Sequence, residues 1–303
     1  MVVGIGASAG GLKALIEFFE NTAPDSGMAY VVVVHLSPEH ESRMTDLLQQ
    51  TTTMPVSAVT ETTPIEPDHV YVISPKTQLR IDDGRLQATR TKLPRGAMTI
   101  DLFLETLAEA HPNRAVGLIL SGTGSDGTLG MRAIKAQGGI TIAQAPDEAE
   151  YDSMPRNAIA SGAIDFVLPV REIPGKIAAL WRNARSIDIP ALPDRPSAEE
   201  ARAAAEEAVG DILAAVRTRT GHDFADYKRA TLFRRIERRI QVNQLKSLAE
   251  YRDYVTGHAA EASALLSDLL ISVTRFFRDP AAWQVLEQRV LPAIFSGREK
   301  GGK

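Results

Sequence analysis

At 303 residues, 44% hydrophobic and 24% charged, the chain has the length and composition of two ordinary globular domains. It has no cysteine, which excludes a disulfide framework, a thiolate nucleophile and a Cys-ligated metal and suits a reducing cytoplasm. The net charge of −4 is uneven: residues 1–185 are net acidic, which argues against nucleic acid as their substrate, whereas basic side chains cluster later.

The first strand runs from Val2 into Gly6-Ala7-Ser8-Ala9-Gly10, a G-x-S-x-G pattern whose small residues permit a sharp turn exposing a hydroxyl. Gly4, Gly6 and Ala9 equally fit the dinucleotide fingerprint G-x-G-x-x-G/A, so the loop alone leaves two readings open. Leu12, Leu15, Ile16 and Phe19 then recur at helical spacing. Tyr30 to Val34, apolar on both faces, reads as a central parallel strand, and His35 follows it where a dinucleotide site would want an acid for the ribose. A metal site from His35, Glu39, His40 and Glu41 is disfavoured by Pro38 and by the ligand spacing.

Residues 56–93 predict a peripheral antiparallel region, with Val70 to Ile73, Gln78 to Ile81 and Arg85 to Ala88 around the turn Asp82-Asp83-Gly84. A helix from about Ile100 to Ala110 and a strand from Ala115 to Leu120 lead into a second Gly-rich loop, Ser121 to Gly127, which carries Asp126. A helix near Thr128, strands at Ile140 to Ala143 and Ile164 to Leu168, and a helix from Ile173 to Trp181 complete a doubly wound α/β fold. That fold has a mainly parallel sheet and a peripheral antiparallel hairpin. The expected division is a catalytic domain over 1–185, a Pro/Ala-rich linker over 186–205, and a small all-α domain over 206–303.

Ser8, His35 and Asp126 each stand just past the carboxyl end of a strand, where doubly wound sheets bind ligands. A hydroxyl becomes a useful nucleophile when an imidazole takes its proton and a carboxylate orients that imidazole, so the three residues fit a triad. Their order, Ser, His, Asp, differs from the Ser, Asp, His order of α/β-hydrolases. The backbone N–H groups of Ala9 and Thr123 are the candidate oxyanion donors.

These motifs, with Met154-Pro155-Arg156-Asn157-Ala158-Ile159, resemble the catalytic domain of bacterial chemotaxis protein-glutamate methylesterases of the CheB type over about residues 1–183. The resemblance implies hydrolysis of glutamate methyl esters on the cytoplasmic helices of chemoreceptors, with glutamine deamidation as a related activity. It also implies Ser8 as nucleophile, His35 as base, Asp126 as orienting carboxylate, substrate contacts at Met154 and Arg156, and no cofactor or metal. Two departures stand out. The family usually carries a receiver domain ahead of the first catalytic strand, where this sequence begins, and Ser121-Gly122-Thr123-Gly124 replaces the frequent Thr-Gly-Met-Gly.

In the second domain, Leu232, Ile236 and Ile240 repeat every four residues beside Arg234, Arg235, Arg238 and Arg239. A basic face of this kind is either plainly solvated or docks an acidic partner. No aromatic stacking platform accompanies it, which argues against nucleic acid. Tyr227-Lys228-Arg229, Arg234 to Arg239 and Leu269 to Asp279 resemble the N-terminal helical domain of CheR-type chemoreceptor methyltransferases. The resemblance implies receptor docking by the four arginines and a contact from Arg278 to S-adenosylmethionine in a complete enzyme. The larger nucleotide-binding domain would begin where this sequence stops, so methyl transfer is not expected of these residues. The expected location is cytoplasmic, without membrane insertion: no apolar run approaches the ~20 residues a spanning helix needs, and no charged leader opens the chain.

Overall fold

The computed structural model describes residues 1–34, 41–74, 77–90, 98–187, 199–270 and 285–290. Two compact units divide the chain, Met1–Ile271 and Ser272–Lys303, and in the second the described part is a short helical segment, Leu286–Val290. Among the described residues no helix is long and apolar enough to cross a membrane.

The first unit is built on a seven-stranded parallel sheet. Strand β1 (Val2–Ala7) lies at its centre, with β2 (Ala29–Val34) on one side and β8 (Ala115–Ile119) on the other. Beyond β2 come β5 (His69–Ile73) and β3 (Val56–Val59), and beyond β8 come β9 (Ile140–Gln144) and β10 (Phe166–Leu168). Strands β4 (Thr63–Pro64), β6 (Thr77–Asp82) and β7 (Arg85–Arg90) form a separate antiparallel sheet.

The expected antiparallel region over 56–93 is therefore corrected for its first half. Val56–Val59 and His69–Ile73 extend the main sheet in parallel register, Val31 facing Tyr71 and Ser57 facing Tyr71. Val70 to Ile73 are all buried, as a parallel strand covered on both faces requires.

The strand order makes the chain leave β1 first toward β2 and later toward β8, so the carboxyl ends of β1 and β8 border the topological switch point of the sheet. Helix α1 (Gly11–Glu20) returns the chain from β1 to β2. Helices α2 (Glu41–Gln49), α3 (Thr99–Ala110), α4 (Thr128–Ala136) and α5 (Ser153–Ala160) lie in the other connections between strands, and α6 (Ile173–Ala184) follows the last strand. Gly6 is glycine because α3 runs so close: a Cβ there would lie 2.5 Å from Ile100 Cγ2, a contact that close helix-to-sheet packing forbids. This packing accounts for Gly6 without a bound phosphate.

A second apolar cluster gathers α7 (Glu199–Thr220), α8 (Arg229–Val242), α9 (Leu248–Gly257) and α10 (Ala259–Leu270). The predicted stripe Leu232, Ile236 and Ile240 faces this core, packed with Val209, Val216 and Tyr251. Ser247 starts α9 by accepting the Glu250 N–H, an N-cap with the expected Ser-x-x-Glu spacing. Helix α7 already begins at Glu199, ahead of the boundary expected at residue 206, and residues 188–198 of the expected linker lie outside the described residues. Both apolar clusters belong to the same compact unit.

Candidate active site

Three loops interlock at the switch point. Ser8, half-buried, follows β1; its N–H donates to Ser121 O at 3.0 Å, and its own carbonyl accepts the Gly11 N–H that opens α1. The loop after β8 is clamped from both sides. Ser121 Oγ donates to Ala9 O at 2.9 Å and accepts the Tyr151 N–H at 3.0 Å, while Gln144 Oε1 accepts the Ser121 N–H. Gly122 exchanges backbone hydrogen bonds with Tyr151 and Met154, and a Cβ at Gly122 would lie 3.0 Å from Ser8 Cβ and 2.1 Å from Met154 Sδ. Glycine at 122 thus lets the second loop's backbone press against the serine loop.

The Ala9 and Thr123 N–H groups donate to no described residue, and Thr123 is exposed. Beside Ser8 opens a cleft of about 440 Å³ with Leu12, Ile16, Val34 and Met44 as apolar lining and Lys13 and Glu150 as its charged groups.

Asp126 is buried at 5% exposure and is held by α3. Its Oδ2 accepts the Ile100 N–H at 3.0 Å and its Oδ1 the Asp101 N–H at 2.9 Å. Met98, at the N-cap position of α3, supplies no side-chain cap, so a carboxylate from another loop satisfies the helix's unpaired amides. Asp101 makes the reverse connection: its Oδ1 accepts the Gly130 N–H, 2.8 Å away in the first turn of α4. Burial pushes the Asp101 carboxyl up to about 6, opposed by the Gly130 N–H and reinforced by the charge of Asp126. Sequence reasoning passes over Asp101; the available signal was an acid in the first turn of a helix whose N-cap position holds a methionine.

The structure brings together the loops of Ser8, Ala9, Thr123 and Asp126. His35 lies outside the described residues, as does Arg278. Met154 is buried at 1% exposure and packs against Gly122, beside the Ser8 loop. Arg156 is exposed and pairs with Asp152 at 2.5 Å.

The arginine helix needs a correction. Arg234 is exposed, but Arg238 and Arg239 are buried and do not form an open docking face. Arg238 reaches Asp165 just before β10 and Asp268 of α10, one with each end of its guanidinium, and donates Nε–H to Gly139 O at 3.0 Å. Lys135 Nζ stands 3.4 Å from both carboxylates. Arg239 binds Glu261 with two hydrogen bonds, 2.7 and 2.6 Å, and the Tyr251 hydroxyl donates to the same carboxylate at 2.8 Å. Arg235 donates to Lys135 O at 3.0 Å. Burial alone would raise the Asp165 carboxyl; Arg238 and Lys135 overcome it and hold Asp165 below the usual range. The physical reason for the correction is that a charge is retained in an interior only when it is paired. The sequence sign was an acid, Asp268, inside the apolar rhythm of Leu265 and Leu269.

A family model described as CheB methylesterase matches residues 3–177, and one described as CheR methyltransferase, all-alpha domain, matches 207–270. An uncharacterized 104.1 kDa protein of Rhodobacter capsulatus is 36% identical over 266 residues, covering 83% of this chain and 28% of its own length. A putative protein-glutamate methylesterase/protein-glutamine glutaminase of Leptospira interrogans is 30% identical over 59% of this chain and 94% of its own. A protein-glutamate methylesterase/protein-glutamine glutaminase of Burkholderia orbicola is 32% identical over 60% of this chain, which spans about half, 55%, of that relative. The crystal structure of the Thermotoga maritima CheB methylesterase catalytic domain matches with a TM-score of 0.55 at 28% identity, covering 59% of this chain and 97% of that one. The interlocked loops at the switch point of a parallel sheet, and a family match across more than half of the residues, have one conclusion: the chain belongs to the CheB methylesterase family.

Proposed function

We propose that this chain hydrolyses the methyl ester of glutamate side chains in a methyl-accepting chemoreceptor or a related methylated signalling protein, through Ser8, His35 and Asp126. The observation that carries the reading is the meeting of the Ser8 loop with the loop of the buried, doubly hydrogen-bonded Asp126. Ser8 Oγ attacks the ester carbonyl while His35 takes its proton, and the Ala9 and Thr123 N–H groups receive the developing oxyanion. His35 then protonates the methoxide as methanol leaves, and water, deprotonated by His35, releases the glutamate from Ser8. A glutamine amide would follow the same course with ammonia as the leaving group, in keeping with the glutaminase half of the relatives' names. This chemistry asks for no metal or cofactor. S-adenosylmethionine and Arg278 would enter only with a complete methyltransferase.

Methanol release from a methylated receptor cytoplasmic fragment tests the proposal. Ser8→Ala is expected to lower turnover by at least about a thousandfold, and equal release from the two proteins would sink the triad. A second reading is a receptor-binding scaffold with a silent or restrained esterase site, favoured by the ion pairs that bind the helical layer to the sheet. In that case wild type and Ser8→Ala bind receptor fragments equally and neither releases methanol. For docking, Arg234 is the arginine of the four that remains exposed; Arg234→Glu should weaken binding in a salt-sensitive way, and unchanged binding would leave Arg234 a plain solvated side chain. The proposed setting is the cytoplasm, with a protein substrate, no nucleic acid and no membrane insertion.

A further inference from the structure

Helices α3 and α4 cap each other in a crossed fashion. Asp126, two residues ahead of α4, closes the amino end of α3, and Asp101, in the first turn of α3, closes the amino end of α4. Two carboxylates are thereby buried side by side at 5% and 4% exposure, and the Asp101 Oδ2 atom has no hydrogen-bond partner among the described residues. Buried acids normally find one, so an orphaned oxygen directly behind a candidate catalytic carboxylate calls for an account. A cap needs only one oxygen, and serine or asparagine caps as well as aspartate does. Capping therefore explains Oδ1 but gives no reason for a second acid in the interior.

We propose that Asp101 is a positioning residue of the esterase, fixing the Asp126 loop against α3 and adding a second negative charge behind Asp126 that favours the protonated form of the general base. The role rests on the Ser8, His35 and Asp126 reading. The charged groups acting on Asp101 are Asp126, from the loop ahead of α4, and Glu105, one turn along α3. Arg132 of α4 and Arg80 and Asp82 of β6 are exposed, β1 and β8 beneath α3 hold no titratable residue, and Tyr30 of β2 packs instead against Phe18 and Phe19 of α1. Near neutral pH Asp101 passes from neutral to charged, so its effect on the base grows across the same range in which an imidazole titrates.

The test is the labelling of Ser8 by a fluorophosphonate on the full chain, which needs no knowledge of the natural receptor. The Ser8 Oγ–P bond forms, the P–F bond breaks, fluoride leaves and the hydroxyl proton passes to the base. Labelling rates are followed from pH 5 to 9 for wild type, Asp101→Asn and Asp101→Ser, with thermal unfolding to show that each variant is folded and mass spectrometry to locate the label. Both substitutions keep an oxygen for the Gly130 N–H and remove the charge. Above pH 7.5 they are expected to label about three- to tenfold more slowly, the size of a half to one pKa unit on the base. The gap should close toward pH 5, where wild-type Asp101 is itself neutral. A deficit equal at every pH would mark a merely structural residue and overturn the proposal, as would wild-type rates in both variants. Ser8→Ala separates the two layers: if the label does not depend on Ser8, the triad reading fails and this role with it. If it does and the Asp101 variants are indistinguishable from wild type, only the role of Asp101 fails.

Discussion

Two buried acidic clusters lie in the same compact unit and are neutralised by opposite means. Asp101 and Asp126 are met by backbone N–H groups of α3 and α4, whereas Asp165, Asp268 and Glu261 are met by Arg238, Arg239 and Lys135. Backbone amides carry partial charges, so in the first cluster desolvation wins and Asp101 rises to about 6. Full cations reverse the balance in the second, where Asp165 falls below its usual range despite complete burial. The difference separates two kinds of duty. An acid held by amides can change charge near neutral pH and so can serve chemistry, while an acid held by arginine stays ionised and serves as a joint between the sheet and the helical layer.

The sharpest way to break that contrast is to remove the cation that spans both parts. Arg238→Ala leaves two buried carboxylates with Lys135 as their shared close cation and is expected to cost about 3–5 kcal/mol in urea unfolding; a loss below 1 kcal/mol would show that the joint contributes little. The pH dependence of stability discriminates next. The folded-state value of Asp101 lies above its ordinary value of 3.8, so its contribution is fully present below about pH 4 and is lost as pH rises through about 6. Asp101→Asn should therefore gain stability relative to wild type between pH 4 and 6 in thermal unfolding, and a flat difference would contradict the burial argument. Asp165 has the opposite sign. Its contribution is present above 3.8 and is lost as pH falls through its lowered value, so the acid transition of wild type should persist in Asp101→Asn. The smallest effect belongs to an exposed pair: Arg156→Ala, which breaks only the contact with Asp152, should change stability by less than about 0.5 kcal/mol.

Much of the esterase layer is legible in the chain. Ser8 and Asp126 stand after apolar runs, and in a parallel sheet the carboxyl ends of such runs converge. The partner of a strand is less legible, because the apolar run Val70 to Ile73 identifies a buried strand without revealing whether its neighbour runs parallel to it. Met154 carried a motif signal, yet its side chain fills the space above Gly122, a contact that helical periodicity cannot foresee. Asp101 carried almost no signal, since its significance comes from an acid 25 residues away in sequence.

Local patterns were sufficient for most strands of the main sheet, the Gly-rich loops and the apolar stripe of α8, because these depend on the spacing of side chains along one strand or helix; β3, α2 and α5 were not foreseen. The fate of the arginines depended on the tertiary structure. From the chain alone Arg234, Arg235, Arg238 and Arg239 form one basic face; in the fold Arg234 meets water while Arg238 lies between Asp165 and Asp268. Helical spacing sets the direction in which a side chain leaves its helix. Whether it meets solvent or two carboxylates depends on what else packs there, and the cost of an unpaired buried charge makes that difference decisive.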